Sequence, residues 1–214
     1  MNTVRIWFEK RGEAAYISLL DLQRVMHCAL KRSGLPVWYT KGFNPHIYLA
    51  FSCPLALGQE SLCESCEVKT EEETPDYEAW AEALRPALPE GLRLVSIGPA
   101  VMKMGRIQAA DYTITLPASA AQALDAYNAR ESVLVEKKTK SGKKQLDLKQ
   151  YIPSVPYKVN GEQASFSIRL PAGDALNLNP ALLVGHLQEQ YGLPAWQCHI
   201  LRTRIYAEDG IEFR

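Results

Sequence analysis

The residues best suited to chemistry lie in one short segment, 40–46, which reads Thr-Lys-Gly-Phe-Asn-Pro-His. The segment combines a lysine, a flexible glycine, a turn-forming Asn-Pro pair and His46, whose ring titrates near neutral pH. Such a turn can hold a phosphate or a peptide. It can equally be a rigid turn in which Asn44 and His46 only satisfy backbone groups. The residue types alone favour neither interpretation.

A second pattern, Cys63-Glu-Ser-Cys66, has the spacing of metal ligands, and Cys53 and His46 are the nearest residues that could complete a zinc site. Both cysteines fall at the start of a predicted strand, however, and the chain has no second Cys-x-x-Cys. We therefore expect no metal. Nucleotide-binding, zinc-protease and serine-hydrolase motifs are missing, as is the three-cysteine motif of a radical SAM cluster, so we expect no cofactor either.

Two basic surfaces follow from local charge. The first predicted helix carries Arg24, His27 and Lys31 at spacings of three and four, which gives it one basic face. Six lysines also crowd into residues 137–149, where they would attract phosphate in a salt-dependent way. Both features are also compatible with ordinary solvated surfaces. The six are Lys137, Lys138, Lys140, Lys143, Lys144 and Lys149.

The overall composition limits how far charge can be used. The chain has 214 residues with 24 basic and 24 acidic side chains, and 47% of its residues are hydrophobic. This composition excludes a disordered chain and a uniformly cationic protein that coats nucleic acid. Glu71, Glu72 and Glu73 stand where an RNA-recognition motif would have its basic and aromatic signature, so we expect no base stacking of that kind.

Hydrophobic periodicity predicts an α+β fold of two tandem ferredoxin-like (βαββαβ) domains. In the first half, strands are predicted over 4–10, 37–40, 64–70 and 92–97. The first helix begins at Ser18, with Asp21 in a capping position, and ends before Gly34. Its apolar stripe is Leu19, Leu22, Met26, Ala29 and Leu30, and a second helix is predicted over 76–84.

The pattern repeats in the second half, with strands predicted over 111–116, 132–138, 145–151, 164–170 and 197–206. Helices are predicted over 120–129 and 180–191. The second domain would thus contain an inserted lysine-rich hairpin. We predict domains over 1–100 and 111–214, joined by a linker over 101–110. A single larger α+β sheet is the alternative.

Several motifs together resemble a family of bacterial proteins with a domain of unknown function, fused to or encoded beside cobalamin-binding-type radical SAM proteins. The resemblance is strongest over residues 4–100, and its most specific element is the Gly42-Phe43-Asn44-Pro45-His46 block. Two residues depart from the family pattern: Leu19 replaces a common histidine and Ile47 replaces a common proline. The motifs that carry the resemblance are Ile17 to Leu22, Gly34 to Pro36, Gly42 to His46 and Pro54 to Gly58.

This resemblance implies a cytoplasmic bacterial protein with a radical SAM partner and a link to RNA. Few cysteines for the chain length and no signal-peptide core agree with a cytoplasmic protein that has no membrane segment. We hypothesise that Asp21 and Arg24 orient the turn by hydrogen bonds, while Arg24 and the neighbouring lysines meet phosphate. The predicted ligand-binding residues are Ser18, Asp21, Arg24, Lys31, Lys41, Gly42, Phe43, Asn44 and His46, with the lysines of 137–149 as a second contact.

These observations predict a non-catalytic accessory protein that binds RNA or a substrate for a separate radical SAM enzyme. One alternative is a metal-independent endoribonuclease that resembles the CRISPR repeat-processing enzymes, with His46 as general acid or base and Lys41 stabilising charge. The other alternative is a pure protein-interaction module that docks through the acidic segment 60–90.

Overall fold

The computed structural model describes residues 1–139 and 142–214, which form a mixed α+β fold with mostly antiparallel strand pairs and four α-helices. The chain divides into two compact units. The first comprises Met1–Ile107 and Arg204–Arg214, and the second comprises Gln108–Thr203. The last strand therefore begins in the second unit and ends in the first. The domain and linker bounds drawn from the sequence stay a prediction.

In the first unit the strand order is β4-β1-β3-β2, and each neighbouring pair is antiparallel. The two helices follow β1 and β3 in the chain. The elements are β1 (Asn2–Lys10), α1 (Leu19–Arg32), β2 (Leu49–Phe51), β3 (Glu60–Thr70), α2 (Tyr77–Leu84) and β4 (Leu92–Pro99).

One face of β1 forms the core of the first unit. Val4, Ile6 and Phe8 alternate along the strand and are fully buried. They belong to one cluster with the apolar sides of both helices, where the buried residues are Leu22, Met26, Ala29, Leu30, Trp80 and Leu84. The stripe predicted for α1 is thus found, except that Leu19 was wrongly included. It is exposed because it is the first residue of the helix.

The opposite face of β1 holds a buried charge. The Arg5 guanidinium is inaccessible to solvent and pairs with the Glu67 carboxylate across the β1–β3 ladder. It also donates to the carbonyl oxygens of Met102 and Arg214, and it stacks 4.3 Å from the centre of the Phe213 ring. Segments distant in sequence are therefore held together around one side chain.

In the second unit the strand order is β10-β5-β9-β8, while β6 and β7 form a separate two-stranded hairpin. The helices bury Leu124, Tyr127, Leu183 and Leu187. The elements are β5 (Ile107–Pro117), α3 (Ala121–Ala129), β6 (Leu134–Thr139), β7 (Gly142–Asp147), β8 (Lys158–Asn160), β9 (Gln163–Pro171), α4 (Ala181–Tyr191) and β10 (His199–Ala207).

Two predicted strands differ from the structure. Residues 37–40 make only isolated bridges, at Val37 and Tyr39, because the chain leaves Pro36 and turns at residue 40 before a ladder can grow. The second strand of the unit is Leu49–Phe51 instead. The strand predicted over 145–151 ends at Asp147, whose carboxylate accepts from the Lys149 backbone N–H and starts a 3₁₀ turn.

Within the part of the chain that the structure describes, no helix combines the length and the apolar character that a bilayer crossing requires.

Candidate functional site

Residues 40–46 form a turn of the first unit that is closed by hydrogen bonds between its two ends. The Thr40 N–H donates to the His46 carbonyl at 2.8 Å, and the His46 N–H donates to Thr40 Oγ1 at 3.2 Å. Gly42 has φ = +134°, a conformation that side chains with a Cβ rarely adopt. The sequence of the turn thus dictates its shape, through a side-chain clamp at its base and a glycine at its bend.

The His46 imidazole is part of the clamp. Its Nδ1 lies 3.0 Å from the Asn44 carbonyl oxygen and 3.1 Å from Thr40 Oγ1. Since a carbonyl can only accept, the bond to Asn44 places the proton of the neutral ring on Nδ1 and leaves Nε2 as an acceptor. The ring is exposed, so this nitrogen is available to a ligand.

The residues between Thr40 and His46 face the solvent. Phe43 is fully exposed, an unusual environment for an aromatic side chain of this size. Lys41 and Asn44 are exposed beside it. The turn consequently presents an aromatic ring, an ammonium group and an amide on a backbone that is fixed from within.

The chain leading into the turn lines a cavity of about 450 Å³. Trp38 and Tyr39 form part of its wall, Lys41 stands at the turn side, and Glu71 and Glu72 face them from the segment after β3. The wall is anchored because the Trp38 N–H donates to the Lys69 carbonyl at 2.7 Å. The two aromatic residues are not among the ligand-binding residues that the sequence predicted, although their position just before the turn is a usable signal.

The start of α1 holds three of the predicted site residues. Ser18 Oγ accepts from the Asp21 N–H at 3.1 Å and donates to the Asp21 carboxylate, as the capping pattern predicted. Arg24 binds the same carboxylate at 2.8 Å. The Ser18 hydroxyl and Arg24 together hold the pKa of Asp21 below its usual value. The predicted hydrogen bonds from Asp21 and Arg24 to the turn are not among those that the described residues make.

His27, rather than Asp21 or Arg24, is the residue of α1 that the turn influences. Its Nε2 atom is buried and has no hydrogen-bond partner among the described residues. Burial is the main cause that lowers the pKa of His27, and the charges of His46 and Lys31 lower it further. The charge of His46 in the turn therefore acts on His27 of the basic face of α1. The sequence pattern placed His27 on that face but did not single it out.

The lysines of the β6–β7 hairpin form a separate basic surface in the second unit. Lys143 pairs with Glu136 at 2.7 Å, Lys137 donates to the Asn177 carbonyl, and Lys144 is exposed. Lys149 lies beyond the hairpin, where it donates to the Pro153 carbonyl at 2.7 Å. Lys140 and the side chain of Lys138 lie outside the described residues.

The two cysteines with metal-ligand spacing both lie on β3, three residues apart, so their side chains point to opposite faces of the sheet. Cys66 is fully buried and Cys63 is partly exposed. Burial also raises the pKa of the Cys66 thiol well above its usual value, which disfavours the thiolate that a metal needs. The pair cannot chelate a single ion in this fold.

Residues 3–180 match the model of a family described as an uncharacterized protein conserved in bacteria, DUF2344. The chain belongs to this family. The region that matches DUF2344 contains both the 40–46 turn and the β6–β7 hairpin. The description of DUF2344 gives no function, so the radical SAM partner that the sequence resemblance implies stays a prediction.

No functionally curated protein matches this DUF2344 member. Among solved structures, it is similar to the crystal structure of an unknown protein from Galdieria sulphuraria at 12% identity. That similarity covers 94% of this chain and 98% of the other, with a TM-score of 0.26.

Proposed function

We propose that this protein is a non-catalytic, cytoplasmic RNA-binding protein whose first contact with RNA is the 40–46 turn together with the basic face of α1. The observation that carries the proposal is the fully exposed Phe43 ring in the same clamped turn as the exposed Lys41. An exposed aromatic ring flanked by cations is the composition with which proteins bind unpaired nucleotides.

In this proposal each group has a separate task. Phe43 stacks on an unpaired base, and Lys31 and Lys41 neutralise adjacent phosphates. One terminal nitrogen of the Arg24 guanidinium binds the Asp21 carboxylate. The other terminal nitrogen can donate to a phosphate at the same time. Phosphate contacts give affinity and register without sequence choice. Selectivity would therefore come from the base on Phe43 and from the shape of the RNA.

The lysines of the β6–β7 hairpin are proposed as a second, independent phosphate contact. Lys144 is exposed, and the Lys143–Glu136 pair is exposed enough for a phosphate to compete with the carboxylate. The contribution of this surface would fall as salt rises. It would raise affinity for longer RNA more than for a short oligonucleotide that fills only one surface.

We also infer that each unit is a ferredoxin-like βαββαβ domain. The order β4-β1-β3-β2 in the first unit recurs as β10-β5-β9-β8 in the second, if the inserted hairpin is set aside. In both units a helix follows the first strand and another follows the third. This repetition supports a duplicated domain with a hairpin inserted into its second copy.

RNA binding is tested by filter binding of a structured RNA with single-stranded loops, at several salt concentrations. The wild type should bind at micromolar protein, with affinity that falls as salt rises. Lys31→Gln and Lys41→Gln should each weaken binding and reduce the salt slope by about one unit. Arg85→Gln, which removes one exposed charge elsewhere in the first unit, is the matched control. Absence of salt-dependent binding by the wild type would refute the proposal.

The proposed partner is a radical SAM enzyme, to which the protein would present its RNA or another substrate. Glu71, Glu72 and Glu73 are exposed and give the partner a distinct acidic docking surface. Purification from the native host should recover such an enzyme after nuclease treatment. Reversing these three charges should then abolish the association. Recovery that persists after charge reversal would rule out this acidic surface, and a complex without any RNA binding would favour the pure interaction module.

One observation favours an endoribonuclease as a second candidate function. The bond from His46 Nδ1 to Asn44 leaves Nε2 as the proton acceptor of an exposed ring in the same turn as Lys41, as a general base requires. The neighbouring His27 is unsuited to be its acidic partner, because its Nε2 is buried. End-labelled RNA incubated with wild type and with His46→Ala decides the question. RNA that stays equally intact with both proteins removes the nuclease.

A further inference from the structure

The second unit contains a cleft of about 600 Å³ that no sequence motif indicated. Three segments form its walls: residues 116–119 at the end of β5, the β8–β9 turn at 161–163, and residues 196–199 before and at the start of β10. The volume lies within the range of about 300–1,000 Å³ that is usual for small-molecule sites. All three segments belong to the second unit, so the cleft is independent of the 40–46 turn.

The walls of this cleft are fixed by backbone hydrogen bonds. Pro117 lies opposite Gln163 in the β5–β9 ladder, and the Ala118 N–H donates to the Glu162 carbonyl at 2.7 Å. On the third wall the Gln197 N–H donates to the Pro194 carbonyl at 3.1 Å. A ligand would therefore meet a preformed site and would not have to order it.

The chemistry of the lining is that of a site for a flat, polar heterocycle. Trp196 is 76% exposed although it lines the cleft, so most of its indole surface is available for stacking. Gln163, Gln197 and His199 supply hydrogen-bond donors and acceptors around it. Among the described residues, the lining includes Glu162 but neither lysine nor arginine, which makes the interior unsuited to a phosphate.

We propose that this cleft binds a single unstacked nucleobase of a nucleic acid strand, with its sugar and phosphate left outside. The base would stack on Trp196, and the amides of Gln163 and Gln197 would bind its edge. Glu162 can accept from an exocyclic amine, which favours guanine, adenine or cytosine over uracil. The choice of a strand over a free nucleoside rests on the proposed RNA-binding function.

The experiment is fluorine NMR of the full chain labelled with 5-fluorotryptophan. The chain has four tryptophans, and the resonance of Trp196 is assigned by its loss in Trp196→Phe. Nucleosides are titrated first. Short single-stranded RNA and DNA homo-oligomers, each containing only one type of base, follow. We expect a saturable shift of the Trp196 resonance, strongest with bases that carry an amino group. A Trp196 resonance that no nucleoside or oligonucleotide shifts would overturn the proposal.

Single-residue variants distinguish the stacking on Trp196 from the hydrogen bonds to the base edge, and both from binding at the 40–46 turn. Trp196→Ala should weaken single-strand binding about 5- to 150-fold, the usual loss for one stacked base. Gln163→Ala should reduce the preference among bases, and the same preference in wild type and variant would refute the assigned edge contacts. Since both side chains are exposed, these changes should leave the fold intact, which circular dichroism checks.

Phe43→Ala is the matched control from the first unit. It should weaken RNA binding but leave the shift of Trp196 by nucleosides unchanged. RNA binding without any Trp196 response would overturn the nucleobase cleft alone. A Trp196 response in a protein that shows no salt-dependent RNA binding would instead overturn the function proposed for the turn and support the cleft.

Discussion

At the scale of single residues, Arg5 shows how a charged side chain can be essential to a core. Its guanidinium is fully buried, and each of its contacts is directional: the Glu67 carboxylate, two backbone carbonyls and the Phe213 ring. Arginine suits this place because its planar, permanently charged group donates in several directions at once. An apolar residue of similar length would leave those acceptors without donors.

We expect Arg5→Met to lower the free energy of unfolding by about 3–5 kcal/mol, because it leaves a largely buried carboxylate unpaired. Chemical denaturation followed by circular dichroism measures this loss. Arg106→Met is the control, since Arg106 also pairs with a glutamate, Glu208, but both side chains of that pair are about half exposed, and it should change stability little. Equal losses in the two variants would show that burial of Arg5 does not matter.

A second residue, His27, predicts how stability depends on pH. Its folded pKa is lowered from 6.5, so the unfolded chain binds the proton more readily. Its contribution to stability is therefore complete above pH 6.5 and declines as the pH falls toward the folded pKa. The melting temperature should drop over this window in the wild type and drop less in His27→Phe.

The pH test for His27 needs a comparison, because burial also lowers the pKa of His186. His186→Phe should separately reduce the drop in melting temperature at acidic pH. The double variant should show the sum of the two reductions. If the melting temperature depends on pH in the same way in wild type and in His27→Phe, the buried Nε2 atom of His27 has a hydrogen-bond partner in solution.

At the scale of the elements, the 40–46 turn depends on one hydroxyl. Thr40 Oγ1 accepts from the His46 N–H and also contacts His46 Nδ1. Thr40→Val keeps the shape of the side chain but removes both interactions. We expect weaker RNA binding with little loss of stability, since the turn is exposed and contributes little to the core. Hydrogen exchange at residues 41–46 should increase. Unchanged exchange and binding would show that the hydroxyl does not hold the turn.

The elements also show which parts of the fold were predictable. The start and end of α1 follow from local chemistry: Ser18 caps the first turn, and Gly34 adopts φ = +69° just after the helix. Residues 37–40 were wrongly predicted as a strand, because strand pairing depends on a distant partner. Val37 pairs only with Thr70, and this could not be read from the apolar pattern.

The candidate site was predictable to a similar extent. The sequence indicated the 40–46 turn and the basic residues of α1, since residue type and spacing carry that information. The spacing of three between Asp21 and Arg24 also predicts their ion pair. The sequence could not indicate that His46 acts on His27, because this depends on the rotation of α1 about its axis. The Trp196 cleft is assembled from three separate segments, which no local pattern could reveal.

At the scale of the whole molecule, the last residues of the chain complete the unit that its first residues begin. Phe213 stacks edge-on against Trp7 with ring centres 5.7 Å apart, and its N–H donates to the Ile205 carbonyl at 2.9 Å. The Arg214 carbonyl is one of the acceptors of Arg5. The first unit is therefore discontinuous in sequence, whereas the second is continuous.

This discontinuity predicts that removing residues 208–214 destabilises the first unit selectively. The truncation removes the ring and the carbonyl that cover Arg5, so amide exchange should rise in β1 and β3 and stay unchanged in β9. When the truncation is combined with Arg5→Met, the free energy of unfolding should fall by less than the sum of the two separate losses, because both changes remove the same contacts. Hydrogen exchange with mass spectrometry gives the regional pattern, and denaturation gives the coupling. Equal destabilisation of both units, or strictly additive losses, would mean that these last residues do not act through Arg5.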